Sequence, residues 1–263
     1  MLTESRMQTA GIDAVALKPS ESDVSRALGF DVETVVIDYE GLEHLPTAET
    51  LAALAADVTV RVTMPVRADG FDPLGDDGRW EQVPAAAGRI FVAGHPTYLT
   101  PEERRRPVAP RLRAARERDP DAWVGTESVE RIALAAGGTQ FELLGRTTER
   151  DLHALRAAGF DGEIAVYAPT VLTDDENAIL DAVGAYAARR RPVREALPED
   201  APTDAAASGR AREVLSRAAR DYALVGDPDE VARRIGRLHE AGADTIVGYP
   251  ARGLAPSRDG ERR

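Results

Sequence analysis

Ala157-Ala158-Gly159-Phe160-Asp161 lies between a helical pattern, Glu149 to Ala158, and the apolar run Glu163 to Tyr167. A small residue, a glycine, a variable residue and an aspartate describe a helix that ends on a left-handed glycine and turns at once into a buried strand. The same phrase, with Thr once in place of Asp, stands at Ala27-Leu28-Gly29-Phe30-Asp31, Ala135-Ala136-Gly137-Gly138-Thr139 and Glu240-Ala241-Gly242-Ala243-Asp244. Repetition of that junction is the grammar of a parallel sheet with helical crossovers. Working outward, apolar runs predict eight strands: Ala14–Leu17, Thr34–Asp38, Val58–Thr63, Arg89–Ala93, Ala122–Gly125, Gln140–Leu144, Glu163–Tyr167 and Thr245–Gly248. Helical patterns fall between most of them, among others at Pro101–Arg116, Ser128–Ala136, Glu149–Ala158, Asp174–Arg191 and Asp227–Ala241. In that order they predict an α/β fold, a (β/α)8 TIM barrel in a single domain over 1–254, more naturally than an open doubly wound sheet.

Helix starts are well marked. Asp227-Pro228-Asp229-Glu230 offers a cap, a proline at the first helical position and first-turn carboxylates, and Thr173-Asp174-Asp175-Glu176 reads the same way. Residues 197–209, rich in turn signals and ending Ala-Ala-Ala-Ser-Gly, read as a loop or lid, and 255–263 as a frayed, disordered tail.

Composition bounds the partners. The net charge is -12 and the pI about 4.9, so the chain suits neither nucleic acid nor an anionic membrane. The runs around Arg105 and Arg190 read as solvated helix faces. With no cysteine there are no disulfides, thiolate nucleophiles or Cys-based metal sites. The opening lacks a signal pattern and no apolar run reaches membrane-spanning length, so a cytoplasmic location is expected. Lys18 is the only lysine beside thirty-two arginines, an acidic and lysine-poor composition of the kind found in salt-in halophiles and also produced by a GC-rich genome. Apolar helix faces are compatible with a homodimer.

In such a barrel the strand C-termini share one mouth. The residues there include Lys18, Asp38, Tyr39, Glu40, Glu43, His44, Thr63, Arg67, His95, Thr126, Glu127, Glu142, Arg146, Tyr167, Tyr249 and Arg252, whereas His153 and His239 fall inside helices. His44 and His95 could transfer protons, since imidazole titrates near neutrality, or serve as hydrogen-bonded structural histidines. Lys18 could form a Schiff base when desolvated or pair with Asp38 or Glu40. Asp38 and Glu40, two apart on a strand, would point the same way, as an acid pair or metal ligands would, but no His-x-His, His-Glu-x-x-His or Asp-x-Asp loop supports a metal, and none is expected. Gly125-Thr126-Glu127-Ser128 has the spacing of a strand end opening onto a helix, where amides hold phosphate. Glu127 opposes that reading, and capping by Thr126 or Ser128 explains the same letters.

Three stretches resemble the bacterial-luciferase-like superfamily of flavin- or deazaflavin-dependent oxidoreductases and monooxygenases. The first is Ala27-Leu28-Gly29-Phe30-Asp31 with Val36, Glu43-His44 and Leu51 to Ala56 leading into Val60-Arg61-Val62. The second is Ala122-Trp123-Val124-Gly125 with Ser128 to Gly138, where Gly138-Thr139 replaces the usual Asp-Gly. The third runs from Val225-Gly226-Asp227-Pro228 to Ala243-Asp244. The resemblance implies a barrel binding FMN or coenzyme F-420 and transferring hydride to or from a small organic substrate. It places Glu43, His44, Thr63 and His95 at the ring and the anionic tail at Gly125, Thr126 and Ser128; with Tyr249 these make the candidate cofactor set, and His44, His95, Lys18 and Glu142 the candidate catalytic set. The chain is short between the third and fifth strands, where the superfamily walls its substrate pocket. Two rivals therefore stand beside the redox reading: a cofactor-free lyase or isomerase using Lys18 and the mouth carboxylates, and a non-catalytic barrel that has lost its cofactor and acts as a binding protein.

Overall fold

The structure is a computed structural model that describes residues 4–29, 32–127 and 129–253. In chain order the elements are α1 (Glu4–Ala10), β1 (Ala14–Leu17), β2 (Thr34–Ile37), α2 (Ala48–Ala55), β3 (Thr59–Pro65), β4 (Gly88–Val92), α3 (Val108–Arg118), β5 (Trp123–Gly125), α4 (Glu130–Ala136), β6 (Gln140–Leu143), α5 (Thr148–Ala157), β7 (Ile164–Leu172), α6 (Glu176–Ala188), α7 (Arg191–Ala196), α8 (Gly209–Tyr222), β8 (Leu224–Gly226), α9 (Pro228–Ala241) and β9 (Thr245–Pro250). The strands run β6-β5-β4-β3-β2-β1-β9-β7-β8, with β6 also paired to β7. The fold class is the expected (β/α)8 barrel, with β8 as an additional short strand. Three of the four glycine junctions have the left-handed backbone that their phrase requires, at Gly137 (φ 75), Gly159 (φ 87) and Gly242 (φ 117). At the fourth, Gly29 closes a 3-10 turn (Val24–Gly29), and Phe30 and Asp31 lie outside the described residues. Among the described residues no helix is long and apolar enough to cross a membrane.

The described residues divide into two compact units, one within 13–143 and 160–166, the other within 4–12, 144–159 and 167–253. In the first unit β1 to β6 pair side by side in parallel, and the register fixes which side chains share a face. Gln140 is fully buried and its amide donates to the carbonyls of Ala133, Gly137 and Gly138, so it marks the helix-covered face. Through the register Val124, Phe91 and Met64 share that face, while Ala16, Val36, Arg61, Thr63, Ile90, Val92, Trp123, Gly125 and Phe141 share the other. On this inner face Arg61 lies 4.2 Å over the indole of Trp123, which in turn packs on Phe141. Burial pulls the Arg61 guanidinium below its ordinary pKa, with Glu163, Asp119 and Asp121 opposing the shift.

Between β3 and β4 the chain makes an excursion whose only regular element is one 3-10 turn (Trp80–Gln82). It is held by charge. Asp72, 1% exposed, accepts from Arg106 (3.2 Å) and Arg111 (2.9 Å), Arg106 also pairs with Asp69 (2.7 Å), and Arg118 with Asp77 (2.7 Å). The expectation that both basic runs are solvated faces therefore fails at one arginine of each. Arg106 is drawn in by the buried Asp72 and the exposed Asp69, and Arg190 stacks over Tyr186 (4.8 Å) and Tyr222 (5.5 Å).

From Tyr167 on, the second unit carries most of the longest strand, β7. β7 is buried along all nine residues; it starts one residue after the expected Glu163 and runs five beyond the expected Tyr167, because Ala168 to Leu172 continues the buried run. Pro169, which has no N–H, falls where the pairing changes: Leu144 N–H still bonds the Tyr167 carbonyl, and pairing with β8 begins at Thr170. α9 begins as read, with Asp227 accepting from the Glu230 N–H (2.7 Å). Val231, Ile235, Leu238 and Ala241 form its buried stripe, and each large side chain contributes about 1.5–3 kcal/mol as an upper value. Of the stretch 197–209, read as a loop or lid, Gly209 already opens α8 and the residues before it pack on α6 and α8. Leu197, Ala201 and Ala207 join the cluster of Leu180, Leu215 and Ala218, Ala205 N–H donates to Asp181 (2.9 Å), and Gly184 leaves room for the Thr203 carbonyl.

Candidate functional site

The strand exits of the first unit bring an aromatic rim and a charge clamp together. After β2, Tyr39 donates its backbone N–H to the Thr63 hydroxyl (2.6 Å) at the end of β3, and that hydroxyl faces the Ile37 carbonyl (3.5 Å). The Tyr39 ring stands edge-on to Phe71 (5.7 Å between centroids) and to Tyr98 (6.3 Å), and His95 lies 6.1 Å from Tyr98. His95 and Tyr98 are exposed. Burial first, then the charges of Glu103 and Glu43, push the Tyr39 phenol up to about 12, so it stays protonated across ordinary pH. Nδ1 of His95 accepts from Thr97 N–H (3.2 Å), which caps a 3-10 turn (Pro96–Tyr98) and leaves proton exchange at this residue to Nε2.

The clamp holds the exit of β4. Arg67 donates to the carbonyls of Ala93 (2.6 Å), Gly94 (3.0 Å) and Arg104 (2.9 Å), while Glu127 accepts from the Gly94 N–H (3.1 Å). Arginine thus takes the carbonyls of one peptide segment and glutamate its amide. Glu127 has φ 34, a left-handed backbone that costs a glutamate energy and that persists because the carboxylate is anchored. Its carboxyl lies deep although the residue's overall surface is part-exposed. Burial raises its pKa, opposed by the Gly94 amide, the Arg67 charge and the Ala93 amide.

Not every candidate reaches this rim. Lys18 pairs with Glu21 (3.5 Å) in the loop after β1, while Glu40 takes both the N–H (3.1 Å) and hydroxyl of Ser20. Glu43 folds back over Gly41 and stands 4.0 Å from Nε2 of His44, and both side chains are exposed. Glu142 alternates with Phe141 in β6, so its register position is on the face of Gln140, the helix-covered one. Thr126 is 4% exposed and α4 starts after Val129 with no side-chain cap, while Ser128 lies outside the described residues. In the other unit Tyr167 and Tyr249 stack at 6.4 Å with 8° between their planes. Sequence reasoning placed Glu127 at the mouth only as an argument against a phosphate, and it did not single out Tyr98. The signals present were a lone carboxylate at a strand exit and a tyrosine three residues after His95.

An anionic tail finds poor accommodation where the resemblance puts it. A Cβ on Gly125 would stand 2.5 Å from Cγ1 of Val92, so the glycine is required by a packed neighbour rather than by an open cradle. The Glu127 carboxylate follows directly, and α4 has only seven residues.

A family model described as "Family of unknown function (DUF7388)" matches residues 7–257. No curated protein sequence matches the chain. Among solved structures, an "F420-dependent secondary alcohol dehydrogenase in complex with an F420-acetone adduct" is similar with a TM-score of 0.57 at 12% identity, covering 94% of this chain and 95% of that one. At that identity the likeness shows the fold alone. An aldo-keto reductase from Bacillus halodurans (holo form) aligns at 10% identity and a TM-score of 0.31, covering 92% of this chain and 86% of that one, a value on which no argument rests.

Proposed function

The chain belongs to the family of unknown function DUF7388, and from its barrel fold we propose that it is an oxidoreductase of the luciferase-like kind, binding the ring of coenzyme F-420 or FMN at the strand exits of the first unit. The observation that carries this reading is the exposed His95–Tyr98 edge backed by Tyr39, a rim of aromatic rings at the end of parallel strands. It is supported by the fold likeness to an F420-dependent dehydrogenase over nearly the whole chain and by the three stretches that resemble the superfamily. The bound cofactor would supply or accept the hydride. The protein's own part is to present the ring face, to keep Tyr39 protonated as a donor, and to hold or move a proton at Nε2 of His95. The Gly125 turn does not fit the anionic end, and no contact to it is assigned there.

That misfit favours a second reading, a barrel that binds a small molecule without a redox cofactor. Fluorescence titration of the purified protein with coenzyme F-420 and with FMN separates the two. Saturable binding of either at one site per chain supports the oxidoreductase, and absence of saturable binding of both overturns it.

A further inference from the structure

In the second unit a cleft of about 830 Å³ lies between the start of α5, the end of α8 and the outer side of α9. Its walls carry six arginines, Arg146, Arg150, Arg220, Arg233, Arg234 and Arg237, against three carboxylates, in a chain whose net charge is -12. Four of the six are fixed by protein partners. Arg220 meets both oxygens of Glu176 (3.2 and 2.9 Å), Arg234 donates to the Ala223 carbonyl (2.6 Å), Arg237 lies 3.5 Å from Glu149, and Arg150 pairs with Asp151 (2.9 Å). Burial lowers the pKa of Arg234, with Glu149 offsetting part of the shift. Arg146 and Arg233 are exposed and make no ion pair among the described residues. Glu230, one helical turn from Arg233, is turned instead toward Gly226. Thr147 does not cap α5, since its hydroxyl goes to Asp151 (2.6 Å).

We infer that this cleft is a binding site for a di- or triphosphate group. Guanidinium forks recognise phosphate oxygens in bidentate fashion, and the three arginines of the cleft that make no ion pair among the described residues, Arg146, Arg233 and Arg234, are compensated when a multivalent anion enters. The volume matches a small-molecule site rather than a single ion. Arg146, before α5, and Arg233, on α9, supply the grip, Arg234, held by backbone carbonyls, adds a third positive charge, and the three ion-paired arginines supply fixed N–H donors around them. This site is separate from the redox reading and stands or falls independently of it.

The test is isothermal titration calorimetry of the full chain with pyrophosphate, tripolyphosphate, ADP and citrate at low and high ionic strength. The expected result is one saturable site per chain for pyrophosphate, weakened at least tenfold by Arg146→Glu and by Arg233→Glu and weakened by salt. Arg210→Glu, at an exposed residue near the start of α8 that is 3.6 Å from Glu213, should leave binding unchanged. Circular dichroism checks that each variant is folded. Tighter binding of ADP than of pyrophosphate identifies a nucleotide as the source of the phosphates, and equal binding a free phosphate chain; both outcomes support the site. Absence of saturable binding, equal weakening by Arg210→Glu, or citrate binding as tight as pyrophosphate overturns the assignment.

Discussion

Asp72 is the keystone of the β3–β4 excursion, and Asp72→Asn should unfold that segment's anchorage without changing its shape. The carboxylate is 1% exposed and receives Arg106 at 3.2 Å, Arg111 at 2.9 Å and the Leu74 N–H at 2.9 Å. At an effective dielectric of about 20, each charge pair at this range is worth about 5–6 kcal/mol before desolvation. Removing one member of a buried pair costs about 3–5 kcal/mol, because the remaining charge stays buried. Arg106 retains Asp69 at 2.7 Å and Asn keeps an acceptor for Leu74, so the lower end applies, about 3 kcal/mol. For a chain of this size that lowers Tm by roughly 6–12 °C. The assay is urea denaturation followed by circular dichroism, with Arg113→Ala as the comparison. The exposed Arg113–Glu117 pair should be worth about 0.2–1 kcal/mol and fade with salt. A loss under 1 kcal/mol for Asp72→Asn, or a loss that salt abolishes, would refute the claim that a dry charge network holds the excursion.

Gly125→Ala should cost about 1–3 kcal/mol through the clash with Val92, and the double variant with Val92→Ala should recover most of it in the same denaturation assay; no recovery would show that Val92 is not the obstacle. The pKa of Glu127 is raised in the folded state, so its contribution to stability is present below the ordinary Glu value and is lost as pH rises through the raised one. Glu127→Gln should therefore flatten the decline of Tm with rising pH, and an unchanged pH profile would count against a buried carboxyl. His95→Ala should weaken cofactor binding while leaving the circular dichroism spectrum and Tm within a few degrees of the parent; unchanged affinity would remove His95 from the rim.

The barrel was legible because its punctuation is local. Glycine at 137, 159 and 242 and the Asp227-Pro228 cap each act through a few neighbouring residues. β8 was missed because three residues, Leu224 to Gly226, form a strand only by pairing with the far end of β7. α8 is harder to see because alanine makes most of its buried face, at Ala211, Ala218 and Ala219 beside Leu215. Site residues were less legible, since a strand-exit position does not fix a side-chain direction. Alternation with Phe141 puts Glu142 on the helix-covered face, Lys18 turns to Glu21, and the Thr63 hydroxyl is engaged by the Tyr39 N–H. Glu127 argued against a phosphate from its charge alone, but its left-handed backbone and its bond to Gly94 depend on the neighbouring strand.

Hydrogen–deuterium exchange with and without saturating coenzyme F-420 asks where the cofactor binds as well as whether it does. Slowed exchange is expected to concentrate in 38–44 and 93–99, the segments that carry Tyr39, His95 and Tyr98. Protection absent there, or confined to other segments, would contradict it.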